Sequence, residues 1–170
     1  AFVSGMSRAS HAGIVVKTGA VIEKLATAKT AAFDKTGTLT KGNLAVSQVV
    51  PAAGQKASEL LQLVASAEQT SGHVLAQSIV TKAKEAGLQL VEPTAMSEVT
   101  AKGIVATIAG REVKVGKLAF VTTDPAVQEV ATTAVYVAVD GQYWGRIELA
   151  DQLRPEASTT LQRLQVAGVA

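Results

Sequence analysis

Asp34-Lys35-Thr36-Gly37-Thr38-Leu39-Thr40 places one carboxylate directly before a lysine, a glycine and three threonine hydroxyls. A carboxylate in that setting is suited to nucleophilic attack and a covalent intermediate. Gly37 permits a tight loop whose backbone N–H groups can cradle an anion such as phosphate, while Lys35, Thr36 and Thr38 orient or balance its charge. Two residues after Asp34 stands Thr36, which cannot serve as a general base for water.

A second constellation lies downstream. His73 offers a flat ring for stacking on a purine and a ring nitrogen for hydrogen bonding, in a stretch almost without other aromatic residues. Glu68, at the end of the preceding helical pattern, can accept from the exocyclic amine of adenine. Gly103 and Gly116 let backbone approach a ligand closely. The plainer reading of His73 is a helix-start residue tied to a backbone carbonyl.

The elements that must position these residues are legible from pattern. After the Gly19 break, Ala20, Ile22, Leu25 and Ala26 predict a short helix. Thr30–Asp34 predicts a buried parallel strand that ends at a functional carboxylate. Leu44–Val50 reads as a strand closed by Pro51. Helices are expected over 58–68 and 74–84, where Leu60, Leu61, Val64 and Ala65, then Leu75, Ile79, Val80 and Ala83, each line one face. Short strands follow at 97–100, 104–109 and 113–115, with Gly110-Arg111 as a turn. Val135–Trp144 predicts a hairpin about Asp140-Gly141, because Asp-Gly adopts the positive backbone angles of a two-residue turn. A last helix begins at Arg154-Pro155-Glu156, and Val169-Ala170 reads as the start of a further parallel strand.

Composition narrows the class. The chain has 170 residues, 48% of them hydrophobic, but this fraction is dominated by 30 Ala and 23 Val, with six aromatics in all. Small side chains packed closely make a folded core and exclude disorder. Sixteen basic and fourteen acidic residues give a net charge of +2 without a basic block, so nucleic acid is not expected as a partner. No cysteine is present for disulfides or thiolate metal sites. No apolar stretch approaches the roughly 20 residues of a spanning helix. His11 reads as solvent-facing, and Lys17, Lys24 and Lys29 as a solvated face with a weaker case for anionic lipid. Tyr143 and Trp144 read as hairpin packing.

DKTGTLT is the phosphorylation signature of P-type ATPases, and the flanks resemble the heavy-metal-transporting members. Gly13-Ile14-Val15-Val16-Lys17-Thr18-Gly19 with Glu23-Lys24-Leu25 is similar to their segment ahead of the catalytic site. Ser71-Gly72-His73-Val74-Leu75-Ala76 resembles their SEHPLA motif, with Gly72 for Glu and Val74 for Pro. Ala101-Lys102-Gly103-Ile104-Val105 is similar to a Gly-x-Gly turn, with Ala101 for the first glycine. Val113–Lys117 resembles Val-Gly-Asn, and Ala150–Glu156 resembles Ala-Asp-x-Leu-Arg-Pro-Glu.

The resemblance implies a haloacid-dehalogenase-like, Rossmann-type α/β phosphorylation domain, present in part (1–43 and 146–170). An α+β nucleotide-binding domain (44–145), an antiparallel sheet flanked by helices, is inserted into it. It implies that Asp34 accepts the terminal phosphoryl group of ATP with Lys35 and Thr36 beside it. It also implies that Asp34 and Thr36 hold part of a magnesium site. Nucleotide contacts are expected from Glu68, His73, Ala101, Gly103, Gly116, Asp151 and Arg154. For the last two, an ion pair or helix cap competes with a hinge contact to ribose or phosphates. Expected partners are ATP and the remaining domains of a membrane transporter, its actuator and membrane helices, with this part on the cytoplasmic side. A nucleotide-binding module without turnover, or a stand-alone phosphatase disfavoured by Thr36, are the competing readings.

Overall fold

The computed structural model describes residues 2–170. Two compact units are formed, Lys41–Gln152 and the pair of segments Ala1–Thr40 with Leu153–Ala170. The domain bounds implied by the resemblance, 43/44 and 145/146, fall within the long strands β1 (Thr40–Pro51) and β6 (Gln142–Leu153).

The larger unit is built on a six-stranded sheet in the order β1-β6-β5-β4-β3-β2. Its other strands are β2 (Ala95–Val99), β3 (Gly103–Ile108), β4 (Arg111–Gly116) and β5 (Thr133–Val139). From β2 to β6 every neighbouring pair is antiparallel. Helices α3 (Ala57–Glu68) and α4 (Val74–Glu85) agree with the sequence reading to within a residue. They cover one face, where Leu60, Val64, Ile79, Ile108, Val113, Val115, Val137 and Ile147 are all buried in one cluster. Alternate residues of β3, namely Ile104, Ala106 and Ile108, point into it, as a period of two requires. Full burial of each such aliphatic side chain stabilises by about 1.5–3 kcal/mol. Buried Ser66 is satisfied by accepting from the Val91 N–H at 3.0 Å, which ties the 88–94 segment to α3.

The opposite face carries a smaller cluster of Val121, Tyr136 and Ala138 with Leu118, Phe120, Val130 and Tyr143. It is covered by the short helix α5 (Leu118–Val121), which the sequence pattern does not announce. Asp140 (φ 50°) and Gly141 (φ 77°) make the expected β5–β6 turn. The β3–β4 turn is a correction. It is centred on Ala109 (φ 49°) and Gly110 (φ 79°), and Arg111 already pairs with Ile108 as the first residue of β4.

In the smaller unit, α1 (Phe2–His11) has no counterpart in the sequence reading, whereas α2 (Gly19–Ala26) does. Helix α6 (Pro155–Val166) starts with proline at its first turn, where a missing donor costs nothing. The buried strand expected at Thr30–Asp34 is not formed, and Ala32, Phe33 and Asp34 are exposed. A strand needs neighbours on its edges, and among the described residues the backbone bonds of this segment run to Ala170. The Ala31 N–H donates to the Ala170 carbonyl at 2.9 Å and the Ala170 N–H to the Lys29 carbonyl at 2.8 Å. Those two bonds alternate across the segment in the parallel pattern, so the parallel direction agrees with the sequence reading while the extent and burial do not.

Candidate functional site

The signature loop belongs to the smaller unit. Thr36 (φ −78°, ψ 120°) and Gly37 (φ 79°, ψ −14°) have the angles of a type II turn, whose third position requires positive φ. Thr40 locks the loop from below. Its buried hydroxyl accepts from the Gly37 N–H at 3.1 Å and donates to the Lys35 carbonyl at 3.1 Å. Arg154, just before α6, donates its backbone N–H to the Leu39 carbonyl at 2.9 Å and its guanidinium to the Gly37 carbonyl at 3.3 Å. Asp34 stands in extended conformation at the head of this turn, exposed, with its carboxylate making no capping bond. Lys35, Thr36 and Thr38 are likewise exposed. The result is a braced turn presenting an exposed carboxylate.

In the larger unit, a cleft of about 370 Å³ gathers Glu68 at the end of α3, His73 before α4, Ala101 between β2 and β3, Gly103 at the start of β3 and Gly116 at the end of β4. His73 is the N-cap of α4. Its Nδ1 accepts from the Leu75 N–H at 3.3 Å, which places the ring proton on Nε2. The capping partner is thus a backbone N–H, not the carbonyl of the plainer sequence reading. Val74, where the resembled motif has proline, is the first residue of that helix. Burial raises the Glu68 carboxyl above its ordinary range. A hydrogen bond with Ser71 and the positive potential of His73 oppose the rise, and Glu98 adds to it.

Gly103 and Gly116 are register partners. A Cβ on Gly103 would lie 2.1 Å from the Val115 carbonyl oxygen, and one on Gly116 would lie 2.2 Å from that of Lys102. Ala101, in the place of the first glycine of the resembled turn, is held at φ 61°, a left-handed conformation that glycine adopts without cost.

Asp151 and Arg154 do not line this cleft. Asp151 accepts from the Gly42 N–H at 3.0 Å through Oδ1, which links the ends of β1 and β6. Arg154 serves the signature loop and lies 4.0 Å from Glu156. Sequence reasoning missed Lys102, Lys117 and Glu98, which also line the cleft, and Thr40 as a brace. Adjacency to Gly103 and Gly116 was the available signal for the two lysines. Tyr143 and Trp144 pack as expected but on opposite faces of the sheet, and Trp144 lies under Arg111 at 4.3 Å. A larger groove of about 480 Å³ between β1 and α4 contains none of the signature-loop or cleft residues.

A haloacid dehalogenase-like hydrolase family model matches residues 28–170. The chain belongs to that family. Among curated relatives, it is 35% identical to the zinc-transporting ATPase of Bacillus subtilis (strain 168), over 99% of this chain and 28% of that protein. It is 38% identical to the zinc/cadmium/lead-transporting P-type ATPase of Escherichia coli (strain K12), over 99% of this chain and 24% of the relative. The chain therefore spans about a quarter of the length of the relatives it matches. A crystal structure of a zinc-transporting PIB-type ATPase in the E2.Pi state superposes with a TM-score of 0.85 at 35% identity. It covers 99% of this chain and 29% of that one. The resemblance to heavy-metal-transporting P-type ATPases is borne out, and so is the mixed fold class with its helix-flanked antiparallel sheet. No helix among the described residues is long and apolar enough to cross a membrane.

Proposed function

We propose that the chain is the ATP-binding and aspartyl-phosphorylation portion of a heavy-metal cation-transporting P-type ATPase. The observation that carries this reading is the convergence of Glu68, His73, Ala101, Gly103 and Gly116 on one cleft, in a chain that also displays Asp34 on a braced turn. Adenine stacks on His73, with Nε2–H available to a ring nitrogen and the Glu68 carboxylate accepting from the exocyclic amine. The glycine pair leaves the floor of the cleft without side chains.

At the loop, an Asp34 carboxylate oxygen attacks the terminal phosphorus of ATP. The bond from that phosphorus to the bridging oxygen breaks, ADP leaves with the electron pair, and Asp34 carries an acyl phosphate. The exposed hydroxyls of Thr36 and Thr38 orient the phosphoryl oxygens and Lys35 balances their charge, while the Gly37 N–H is held by Thr40. Arg154 and Thr40 keep the turn in place. Thr36 offers no base for water, so the acyl phosphate survives long enough to be coupled to transport.

Asp34 and Thr36 are hard oxygen donors, which suits magnesium, and among the described residues no cluster of three His, Cys, Asp or Glu exists for a fuller protein cage. Bound there with phosphate, magnesium would offset charge on the transferring group. With this sparse donor set the chain by itself binds nucleotide with little turnover, which is the form the second reading takes. Its partners are ATP and the actuator and membrane-helix domains of the parent transporter, with this part at the cytoplasmic face of the cell membrane.

NMR titration with ATP tests the cleft. Shifts should centre on Glu68, His73, Gly103 and Gly116 without a magnesium requirement, and His73→Ala should weaken binding by roughly 1–2 kcal/mol. Shifts confined to the Asp34 loop would overturn the assignment. In the parent transporter, hydroxylamine-labile labelling from terminally labelled ATP should vanish with Asp34→Asn.

A further inference from the structure

Ser71 sits in the turn between α3 and α4 and lines the cleft together with Glu68 and His73. Its backbone N–H donates to the Glu68 carbonyl at 2.9 Å and closes the turn that follows α3. Its half-buried hydroxyl accepts from the His73 N–H at 3.3 Å and hydrogen-bonds to the Glu68 carboxylate. One hydroxyl meets both demands, with its proton for the carboxylate and a lone pair for the amide. The His73 ring is in turn held through Nδ1 by the Leu75 N–H. Gly72 contributes no packing to this arrangement, since a Cβ there would meet nothing within 4 Å, and glycine leaves the intervening backbone at its freest. The Ser71 hydroxyl therefore ties the end of α3 to the head of α4 at Glu68 and His73.

Resting on the nucleotide reading above, we infer that Ser71 is a positioning residue whose hydroxyl holds the Glu68 carboxylate and the His73 backbone in register, and so sets how strongly the cleft prefers a purine with an exocyclic amine to one with a carbonyl there. An ionised carboxylate in place accepts from the amine of adenine and repels the carbonyl oxygen of hypoxanthine. The charged groups that share the cleft with Glu68 are His73 ahead of α4, Glu98 on β2, and Lys102 and Lys117 beside β3 and β4. Burial and Glu98 raise the Glu68 carboxyl, while the Ser71 bond and His73 lower it. Removing the hydroxyl alone takes away a donor that favours the ionised form, so Glu68 titrates at higher pH and ATP affinity falls off sooner on acidification.

The test compares ATP and inosine triphosphate binding by NMR titration from about pH 4 to 8. It uses the 170-residue chain, Ser71→Ala, and Ser71→Thr, which keeps a hydroxyl. Ser71→Ala should lose about three- to tenfold in ATP affinity, the scale of one hydrogen bond to a charged group that water partly replaces. Inosine triphosphate should lose less, so the preference for ATP shrinks, and the pH at which ATP affinity falls off should move upward. Ser71→Thr should restore both. Unchanged ATP affinity in Ser71→Ala overturns the inference, and so do equal losses for the two nucleotides with the pH profile in place, which is what a structural role alone produces. The Glu68 carboxyl titration in the ligand-free chains separates this failure from that of the nucleotide reading. An upward shift in Ser71→Ala while wild-type chain binds neither nucleotide refutes the nucleotide reading and the inference with it, whereas an unshifted Glu68 in a chain that binds ATP refutes the inference alone. Unaltered amide shifts along β3, β4 and β5 are the control for an intact fold.

Discussion

Gly103 and Gly116 stand opposite each other in the β3–β4 ladder, and each occupies the space that a Cβ on the other would need. The Cβ of Gly103 would come within 2.7 Å of the Gly116 Cα, and that of Gly116 within 2.8 Å of the Gly103 Cα. The pair is a requirement of the sheet, because each strand's backbone fills the place of the other's missing Cβ. Gly103→Ala should destabilise the chain by about 3 kcal/mol, because the clash is with backbone that has no rotamer to escape into. Urea unfolding measures this, and a loss below about 0.5 kcal/mol would show that the strands separate freely.

Ala101 illustrates the opposite case. Held at φ 61°, it carries left-handed strain that glycine would not, so Ala101→Gly should stabilise by about 0.5–1 kcal/mol despite the added freedom of the unfolded chain. A lower melting temperature for this variant would refute the strain.

Val74 is the first residue of α4 and 62% exposed, and His73 before it already has φ −73° and ψ 137°, angles compatible with a following proline. Val74→Pro should raise stability by about 0.4–1 kcal/mol through the unfolded state, leaving ATP binding unchanged. Thermal unfolding together with a titration checks both halves.

Thr40→Val removes a hydroxyl that both accepts from Gly37 and donates to Lys35 inside the fold. The expected cost is about 1 kcal/mol, since the part-buried Gly37 N–H loses its acceptor while the Lys35 carbonyl keeps the Thr40 backbone N–H. Amide hydrogen exchange should accelerate at Gly37 in particular. Unchanged exchange there would mean that the turn holds without its brace.

Glu68 supplies a pH signature. Burial raises its carboxyl in the folded state, with Glu98 reinforcing the shift and Ser71 and His73 reducing it. A folded-state pKa above the unfolded one contributes stability that is complete below the ordinary carboxylate range and is lost as pH rises through the folded value. Glu68→Gln should therefore flatten that decline and melt higher than wild type near neutrality. Melting temperatures of both proteins from about pH 4 to 8 decide it, and parallel curves would show that Glu68 is not responsible.

Helices α3 and α4 were legible because each buries a stripe with helical period, and α6 because proline opens it and Gly168 follows its end. The β5–β6 turn was legible from Asp140-Gly141. The β3–β4 turn was misplaced by one residue because Ala109 adopts positive φ, which local preference argues against. The strand at Thr30–Asp34 was overstated because small apolar residues are compatible with a buried strand but do not supply its neighbours. In the cleft, the motif residues were picked out by type, Lys102 and Lys117 were signalled only by their adjacency to the glycines, and Glu98 by nothing local, since no pattern marks a charged residue that tertiary packing brings to a cleft.

What the amino-acid sequence determined by itself was local. DKTGTLT dictates a glycine turn behind a carboxylate, Asp-Gly a hairpin, and the apolar stripes two helices that need a sheet to cover. What only tertiary structure decided is which residues share a face. In β6, Val137 pairs with Gly145 and Ala138 with Tyr143, which leaves Trp144 as an extra residue in a bulge. A regular strand would put Tyr143 on the same face as Ile147 and Leu149. The bulge instead sends Trp144 into their cluster beneath α3 and leaves Tyr143 with Tyr136 on the other side. Gly145 allows it, for a Cβ there would meet the Val50 carbonyl oxygen at 2.4 Å and Leu60 at 2.9 Å. Alternation along a strand is a local rule, and it yields where the packing of β1 and α3 against the same few atoms is worth more than an unbroken ladder. The same physics brings Glu68 and Gly116, 48 positions apart in the chain, into one cleft.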